Sequence, residues 1–222
     1  QLKVVRGVLD GRSQLVIMPT AGGKSACYQF VALLSPGITF VVTPLRTLLR
    51  DQLKGLQERG VVASLGLSGA SGDQRALVQR LQLGHHRIVY LTPERLLRDT
   101  FRQELNTLAA LRPLAQLVID EVHVASEWGH DFRPSYLGLI DFLERYRQAM
   151  VAREERRPPV LCGYTATASK LVRRDLCRML NLNPDRDVVE VAAPYRRELS
   201  FSVAQLDALD ARHPSLTHSL VV

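Results

Sequence analysis

The first stretch able to do chemistry is a loop of small residues that ends in lysine and serine. Residues 18–25 read Met-Pro-Thr-Ala-Gly-Gly-Lys-Ser, between an apolar run and a helical pattern. Small residues let backbone N–H groups wrap phosphates, Lys24 adds a positive charge and Ser25 can bind Mg²⁺. Met18 stands where the pattern G-x-x-x-x-G-K-S/T has its first glycine, so the match is partial. The alternative is a Gly-Gly turn that precedes Lys-Ser by chance. The residues predicted to hold a nucleotide here are Thr20, Ala21, Gly22, Gly23, Lys24 and Ser25.

A pair of carboxylates forms the second candidate site. The apolar residues 117–119 run directly into Asp120 and Glu121, and His123 follows two positions later. At the carboxyl edge of a parallel sheet, Asp120 would lie near Mg²⁺ and Glu121 could polarise the attacking water as a general base. Taken alone, two carboxylates at the end of a strand are common because they face solvent, without any catalytic role. Together with the phosphate loop, it predicts a nucleotide hydrolase whose catalytic residues include Lys24, Asp120 and Glu121.

An aromatic segment follows the carboxylates. Residues 126–134 read Ser-Glu-Trp-Gly-His-Asp-Phe-Arg-Pro and hold the only tryptophan of the chain. Trp128, His130, Phe132 and Arg133 lie close enough to stack on unpaired bases and meet phosphates. The alternative is that Trp128 and Phe132 fill the core beneath a long loop.

Short β-rich runs alternate with stretches of helical period, which predicts an α/β fold with a mainly parallel sheet. Strands are predicted at residues 15–18, 38–43, 62–67, 88–91, 117–119, 160–164 and 188–192. Helices are predicted at residues 24–34, 46–59, 74–83, 101–111, 136–152 and 169–180.

The composition limits the function classes. The 222 residues are 46% hydrophobic and 23% charged, which excludes disordered, collagen-like and disulfide-scaffold proteins. The net charge of +7 is a weak hint of a polyanionic partner. Three cysteines without C-x-x-C spacing predict neither a disulfide framework nor a zinc site. No run resembles a membrane span or a signal peptide, so we expect no membrane partner and an intracellular protein, cytoplasmic (nucleoid) if bacterial and nuclear if eukaryotic.

Several segments together resemble a known family. Asp-Glu-Val-His is a variant of the DEAH box, and residues 120–134, DEVHVASEWGHDFRP, closely resemble the RecQ family of superfamily 2 DNA helicases. Supporting segments stand in the family's order: MPTAGGKSACYQ, VVTPLRTLLRDQ, YLTPERLL and YTATAS. The resemblance covers roughly four-fifths of the chain and implies a three-layer RecA-like P-loop NTPase domain, the first of two such lobes.

The resemblance also implies roles for individual residues. ATP and Mg²⁺ are the implied cofactors, and Gln1 matches a glutamine that reads the adenine edge. His123, the last residue of the Asp-Glu-Val-His motif, is implied to join the catalytic residues. Thr165 and Thr167 match an element that couples hydrolysis to strand movement. The residues implied to follow the single-strand backbone are Thr43, Pro44, Thr92, Pro93, Glu94 and Arg95. From the residues alone, Thr-Pro after a strand could expose the threonine hydroxyl to a phosphate or simply end the strand.

Two positions depart from the family pattern. Ala21 stands where the phosphate loop usually has glycine, which strains the loop if that position needs a positive φ. Glu127 stands where the family usually has glutamine, which puts a negative charge beside the aromatic segment.

The expected organisation is a helicase ATP-binding domain over residues 1–193, with residues 194–222 a linker and the truncated start of a second RecA-like lobe. The chain begins and ends abruptly, so we expect an excised piece of a 3′–5′ DNA helicase that acts in repair and recombination. Its expected partners are single-stranded DNA, duplex-junction DNA and the second lobe of the same chain. Two alternatives remain open: a non-catalytic nucleotide- or DNA-binding module, and another superfamily 2 helicase that acts on RNA or translocates on duplexes.

Overall fold

The computed structural model describes residues 1–61, 64–67, 81, 83–84, 86–99, 113–128, 131–152 and 158–191. Their strands form one seven-stranded sheet in the order β3-β4-β2-β5-β6-β1-β7, and every pairing is parallel. The strands are β1 Gln14–Ile17, β2 Ile38–Val42, β3 Ser64–Leu67, β4 Ile88–Leu91, β5 Leu114–Ile119, β6 Val160–Thr165 and β7 Val188–Glu190.

Helices cover both faces of this sheet. They are α1 Leu2–Leu9, α2 Lys24–Leu34, α3 Arg46–Glu58, α4 Pro93–Leu96, α5 Pro134–Ala152 and α6 Lys170–Met179, with a 3₁₀ turn at Val122–Ala125. One apolar core lies between the sheet and α1, α2 and α3. A second core lies between the sheet and α4, α5, α6 and the 3₁₀ turn. The predicted three-layer α/β fold is therefore confirmed.

Burial on both faces explains why the strands read as continuous apolar runs. All five residues of β2 and all six of β6 are buried, as expected for central strands of a parallel sheet. β5 begins at Leu114, three residues before its predicted start. The sequence predicts a later start because the polar Gln116 interrupts the apolar pattern, although its side chain is fully buried. The predicted helices at 74–83 and 101–111 lie almost entirely outside the described residues.

The helix boundaries follow recognisable local signals. Pro134 opens α5 two residues before the predicted start, since proline suits the first turn of a helix. Ser169 caps α6 by accepting a hydrogen bond from the Val172 N–H at 3.2 Å. None of the described helices combines the length and apolar character that a membrane span requires.

The parallel arrangement gathers the candidate residues at one edge. β1 runs into the phosphate loop, β2 into Thr43, β4 into Thr92, β5 into Asp120, and β6 ends at Thr165. β6 pairs with both β1 and β5, so the phosphate loop and the carboxylates are separated by a single strand, roughly 10 Å. A lysine side chain from α2 can span that gap.

Candidate functional site

The phosphate loop leaves β1 and enters α2 through a tight backbone path. Gly23 is the N-cap of α2 at φ 85°, a conformation that favours glycine, and no side chain caps the helix. At Gly22, an added Cβ would lie 2.7 Å from the Met18 Cγ and 2.8 Å from the Pro19 carbonyl oxygen. The loop is therefore a cradle of small residues with no room for a side chain at Gly22, and the first N–H groups of α2 lie at its end without intrahelical acceptors.

Met18 fits this cradle although it departs from the usual glycine. Its side chain is 1% exposed and packs in the core beneath the loop. Gln1 holds the loop from the other side, because its Nε2 donates a hydrogen bond to the Gly22 carbonyl oxygen at 3.0 Å. The structure thus gives Gln1 a contact with the phosphate loop, while its role in reading adenine stays a prediction.

Ala21 adopts a left-handed conformation, with φ 60°. A Cβ at such a position costs about 1–2 kcal/mol relative to an ordinary right-handed residue. The expected strain at this departure from the family pattern is therefore present in the structure.

Ala21→Gly is expected to raise the free energy of unfolding by roughly 0.5–1 kcal/mol, because the relieved strain exceeds the extra backbone entropy of glycine in the unfolded chain. Ala26→Gly is the matched control, since Ala26 is an exposed residue of α2 in helical conformation, where the same substitution should lower stability. Urea melts of both variants test this. A loss of stability in Ala21→Gly would show that φ at this position carries no strain.

The acidic end of β5 meets the phosphate loop directly. The Lys24 Nζ lies 3.3 Å from the Glu121 Oε1, and the His123 Nδ1 lies 3.3 Å from the Glu121 Oε2. Glu121 itself stands at φ 49°, and its N–H donates to the Asp120 Oδ1 at 3.1 Å. The predicted catalytic residues Lys24, Asp120, Glu121 and His123 therefore form one cluster.

The two neighbouring carboxyls have opposite electrostatic environments. Burial, then the charge of Glu121, raises the pKa of Asp120 to about 6, although Lys24 opposes the shift. The hydrogen bond from His123 is the largest cause that lowers the pKa of Glu121, with burial opposing it and Lys24 adding to it. Near neutral pH Glu121 is a fully ionised carboxylate, and Asp120 is a buried charge that a bound cation would stabilise.

Asp120→Asn is expected to stabilise the metal-free chain. A buried acid with a raised pKa makes the folded protein less stable as the pH rises, here from about 4 to about 6. The reason is that the acid releases its proton at a lower pH in the unfolded chain than in the folded one. Asparagine has no charge to bury and therefore avoids this loss in the free energy of unfolding, which is on the order of 2–3 kcal/mol above pH 7. Thermal melts with a chelator should show the variant's advantage growing between pH 4 and 7. An advantage that is constant with pH would contradict the raised pKa.

A chain of hydrogen bonds leads from Glu121 to the end of β6. The Thr165 hydroxyl donates to the Thr167 carbonyl oxygen at 2.9 Å, so its oxygen must accept from the His123 Nδ1 at 3.0 Å. This pattern assigns the proton of His123 to Nδ1. The sequence placed these residues in separate motifs, and no spacing rule joins His123 to Thr165, because the contact depends on the pairing of β5 with β6.

The aromatic segment places its residues in different surroundings. Trp128 is 64% exposed, so it does not fill the core, whereas Phe132 is half-buried. The half-buried Arg133 donates from Nη1 to the Pro44 carbonyl oxygen at 2.9 Å. Arg133 thus ties the aromatic segment to the loop after β2, a contact that sequence reasoning missed. His130 lies outside the described residues.

Of the two alternatives for the Thr-Pro threonines, an exposed hydroxyl and a simple strand end, the burial of both residues favours the second. Thr43 is 1% and Thr92 3% exposed. The Thr43 N–H continues the hydrogen bonds of the sheet by donating to the Leu91 carbonyl oxygen, and Thr92 is the N-cap residue of α4. Pro93 and Arg95 are buried as well, whereas Pro44 is half-buried and Glu94 exposed. Pro44 and Glu94 are the accessible members of the predicted strand-contacting set, whose role stays a prediction.

The residues present fit a magnesium-bound nucleoside triphosphate. The first N–H groups of α2 lack intrahelical acceptors and can donate to phosphate oxygens at the loop. Lys24 supplies the positive charge, and Ser25 stands in the first turn of α2. Asp120, only 4% exposed and with its pKa raised by burial, is a carboxylate whose charge a divalent cation would stabilise.

Comparison with known proteins agrees with this geometry. A family model described as DEAD/DEAH box helicase matches residues 1–174. The chain is 36% identical over 207 residues to the ATP-dependent DNA helicase RecQ of Bacillus subtilis, covering 92% of this chain and 32% of that protein. It is 35% identical over 187 residues to the RecQ-like DNA helicase BLM of Xenopus laevis, covering 82% of this chain and 13% of that protein. The chain therefore spans a third or less of the length of these relatives.

Solved structures show the same fold at low sequence identity. The crystal structure of the DUF1998 helicase MrfA superimposes with a TM-score of 0.65 at 20% identity, covering 87% of this chain and 29% of that one. The Hef helicase domain of Pyrococcus furiosus superimposes with a TM-score of 0.53 at 16% identity, covering 81% and 35% of the two chains.

Proposed function

Because the chain belongs to the DEAD/DEAH box helicase family, we propose that it is the ATP-binding lobe of a RecQ-like ATP-dependent DNA helicase. The observation that carries the proposal is the contact between the phosphate loop and the acidic strand end, where the Lys24 Nζ lies 3.3 Å from the Glu121 Oε1. A lysine of a glycine-lined loop and the carboxylates after a parallel strand are the parts that ATP hydrolysis requires.

The proposed mechanism begins with an exchange of partners at Lys24. Phosphate oxygens in the cradle compete with Glu121 for the ammonium group, so nucleotide binding draws Lys24 away from the carboxylate. Ser25 and Asp120 would hold Mg²⁺, which neutralises the charge developing on the phosphates. Glu121, ionised and still fixed by His123, is then free to orient a water molecule and accept its proton.

Coupling to DNA is proposed to pass through two short connections. His123 joins Glu121 to Thr165, and Arg133 joins the aromatic segment to Pro44. A DNA strand that shifts the end of β6 would therefore move Thr165, which contacts His123, the partner of Glu121. A DNA strand that shifts the aromatic segment would move the loop after β2 through Arg133. We propose that single-stranded DNA provides this signal and that duplex-junction DNA is the wider substrate.

The rest of the enzyme is proposed to lie in further chain. A second RecA-like lobe would supply a transition-state arginine, and we propose residues 1–193 as the ATP-binding domain and 194–222 as the start of the connection to that lobe. The proposed activity is 3′–5′ unwinding of duplex DNA in repair and recombination, inside the cell where chromosomal DNA lies. Several similar proteins carry names of ATP-dependent DNA helicases, which supports the proposal.

DNA stimulation of ATP hydrolysis tests this function in a chain extended to include the second lobe. Single-stranded DNA is expected to raise the hydrolysis rate, and Trp128→Ala should lower the stimulated rate while leaving the basal rate near wild type. Each lost stack should weaken DNA binding by about 1–3 kcal/mol. Phe30→Ala is the matched control, because Phe30 is also an exposed aromatic residue, 54% exposed on α2. A Trp128→Ala variant that melts earlier and loses basal and stimulated rates in proportion would show that the side chain only packs.

A further inference from the structure

The side-chain amide of Gln29 joins three separate parts of the chain. Its Nε2 donates hydrogen bonds to the Gln52 Oε1 at 3.0 Å and to the Tyr90 hydroxyl oxygen at 2.9 Å. An amide nitrogen carries two hydrogens, so both are engaged in this bridge. Gln29 belongs to α2, Gln52 to α3 and Tyr90 to β4. One side chain of the helix after the phosphate loop is therefore fixed to two other elements at once.

The bridge lies where water competes little for its hydrogen bonds. Tyr90 is 0% exposed, and Gln29 and Gln52 are half-buried. Burial raises the pKa of Tyr90 to about 12, although the hydrogen bond with Gln29 opposes the shift. The tyrosine therefore stays neutral near pH 7, and its oxygen is an acceptor for Gln29. Hydrogen bonds sheltered in this way hold their geometry more firmly than exposed ones.

Ser25 stands on the same face of α2 as Gln29. The two residues are four positions apart, which is about one helical turn and a rise of about 6 Å. Ser25, Gln29 and Gln52 also line a single groove of about 550 Å³ between α2 and α3. The bridge therefore holds the helix face that carries the Ser25 hydroxyl.

The other contacts of α2 do not specify its position in the same way. No side chain caps its N-terminus, and its buried face packs through Cys27, Tyr28 and Val31. Apolar contacts stabilise a helix without direction, whereas hydrogen bonds have preferred lengths and angles. The Gln29 bridge is thus suited to set the position of α2 along and around its axis.

We propose that Gln29 is a positioning residue for the magnesium site. By joining α2 to α3 and β4, it sets the place at which the Ser25 hydroxyl meets the cation. The proposal rests on the ATP-binding function proposed above and adds a residue that touches neither the nucleotide nor the metal. Lys24 depends less on the bridge, because its long side chain can follow a displaced phosphate, whereas the serine hydroxyl lies close to the backbone.

The magnesium dependence of nucleotide binding tests the proposal on the 222-residue chain. Fluorescence anisotropy with a labelled, non-hydrolysable ATP analogue would give the affinity of wild type and Gln29→Leu in Mg²⁺ and in EDTA. Gln29→Leu should lose about 10-fold in affinity with Mg²⁺, the lower end of the loss seen when a residue that supports a metal ligand is removed. Its affinity in EDTA should equal that of wild type, because Lys24 and the loop still meet the phosphates.

Gln52→Leu removes one of the two hydrogen bonds and should give a smaller loss, also confined to Mg²⁺. In Gln29→Leu/Gln52→Leu the second substitution should add nothing, because the first has already removed the contact. If Gln29→Leu does not fold, the Mg²⁺-specific loss in Gln52→Leu decides alone. Gln57→Leu is the matched control, because Gln57 is an exposed residue of α3, and its affinities should equal those of wild type.

A bridge that only stabilises the fold gives a different result. Gln29→Leu would then melt earlier and lose affinity equally in Mg²⁺ and in EDTA, which would overturn the proposal. Unchanged Mg²⁺-dependent affinity in folded Gln29→Leu and Gln52→Leu, or losses that simply add in the double variant, would overturn it as well. A wild-type chain that binds the analogue no better in Mg²⁺ than in EDTA would instead overturn the magnesium-nucleotide site itself.

Discussion

Glu121→Gln is expected to bind Mg²⁺ and ATP at least as tightly as wild type while hydrolysis falls by about 10²–10⁴-fold. The magnitude is that of a lost general base. Glutamine keeps the shape of the side chain and can still meet His123, but it cannot accept the proton of water. Binding should be preserved because Lys24, now 3.3 Å from the Glu121 carboxylate, loses a competitor for the phosphates.

Rapid-quench measurement of a single turnover would separate this effect from product release. Glu58→Gln is the matched control, because Glu58 is an exposed acid of α3 that pairs weakly with Lys54 at 3.8 Å. Its hydrolysis rate should equal that of wild type. A Glu121→Gln variant that hydrolyses ATP within a few-fold of wild type would remove Glu121 from the role of general base.

Lys24→Ala is expected to weaken ATP binding by roughly 10- to 100-fold and to abolish measurable hydrolysis. A hydrogen bond to a charged group contributes about 1.5–3 kcal/mol, and this lysine is the cation that faces the cradle. The fold should survive because the side chain lies at the edge of the sheet and outside both apolar cores.

Calorimetric titration with ATP and Mg²⁺ measures the affinity, and a thermal melt checks the fold. Lys54→Ala removes the same charge from an exposed position of α3 and should leave ATP affinity unchanged. Equal affinities in wild type and Lys24→Ala would contradict the assignment of residues 18–25 as a phosphate loop.

The sequence predicted best those features that depend on local chemistry. The phosphate loop, the carboxylates after β5 and the alternation of strands and helices follow from residue types in fixed order, and the structure brings Lys24, Asp120, Glu121 and His123 together as expected. The sequence predicts strain at Ala21 on the condition that this position needs a positive φ, and the structure meets that condition with a φ of 60°.

Contacts set by strand order were beyond reach of the sequence. β6 lies between β1 and β5, although its residues come last among these three strands, and only this order joins His123 to Thr165. The same holds for Arg133 and Pro44, which are 89 residues apart in the chain. The sequence could not predict that Thr43 and Thr92 are buried, because a threonine that ends a strand can be either buried or exposed.

A side-by-side comparison of Glu121→Gln and Lys24→Ala tests the central claim, that one site at the carboxyl edge of the sheet binds ATP through Lys24 and hydrolyses it through Glu121. Both variants would be measured for ATP affinity and for single-turnover hydrolysis in a chain that includes the second lobe. Glu121→Gln should bind ATP and fail to hydrolyse it, whereas Lys24→Ala should bind ATP roughly 10- to 100-fold more weakly than wild type. If the two variants show the same affinity and the same residual rate, the division of roles between lysine and glutamate is wrong.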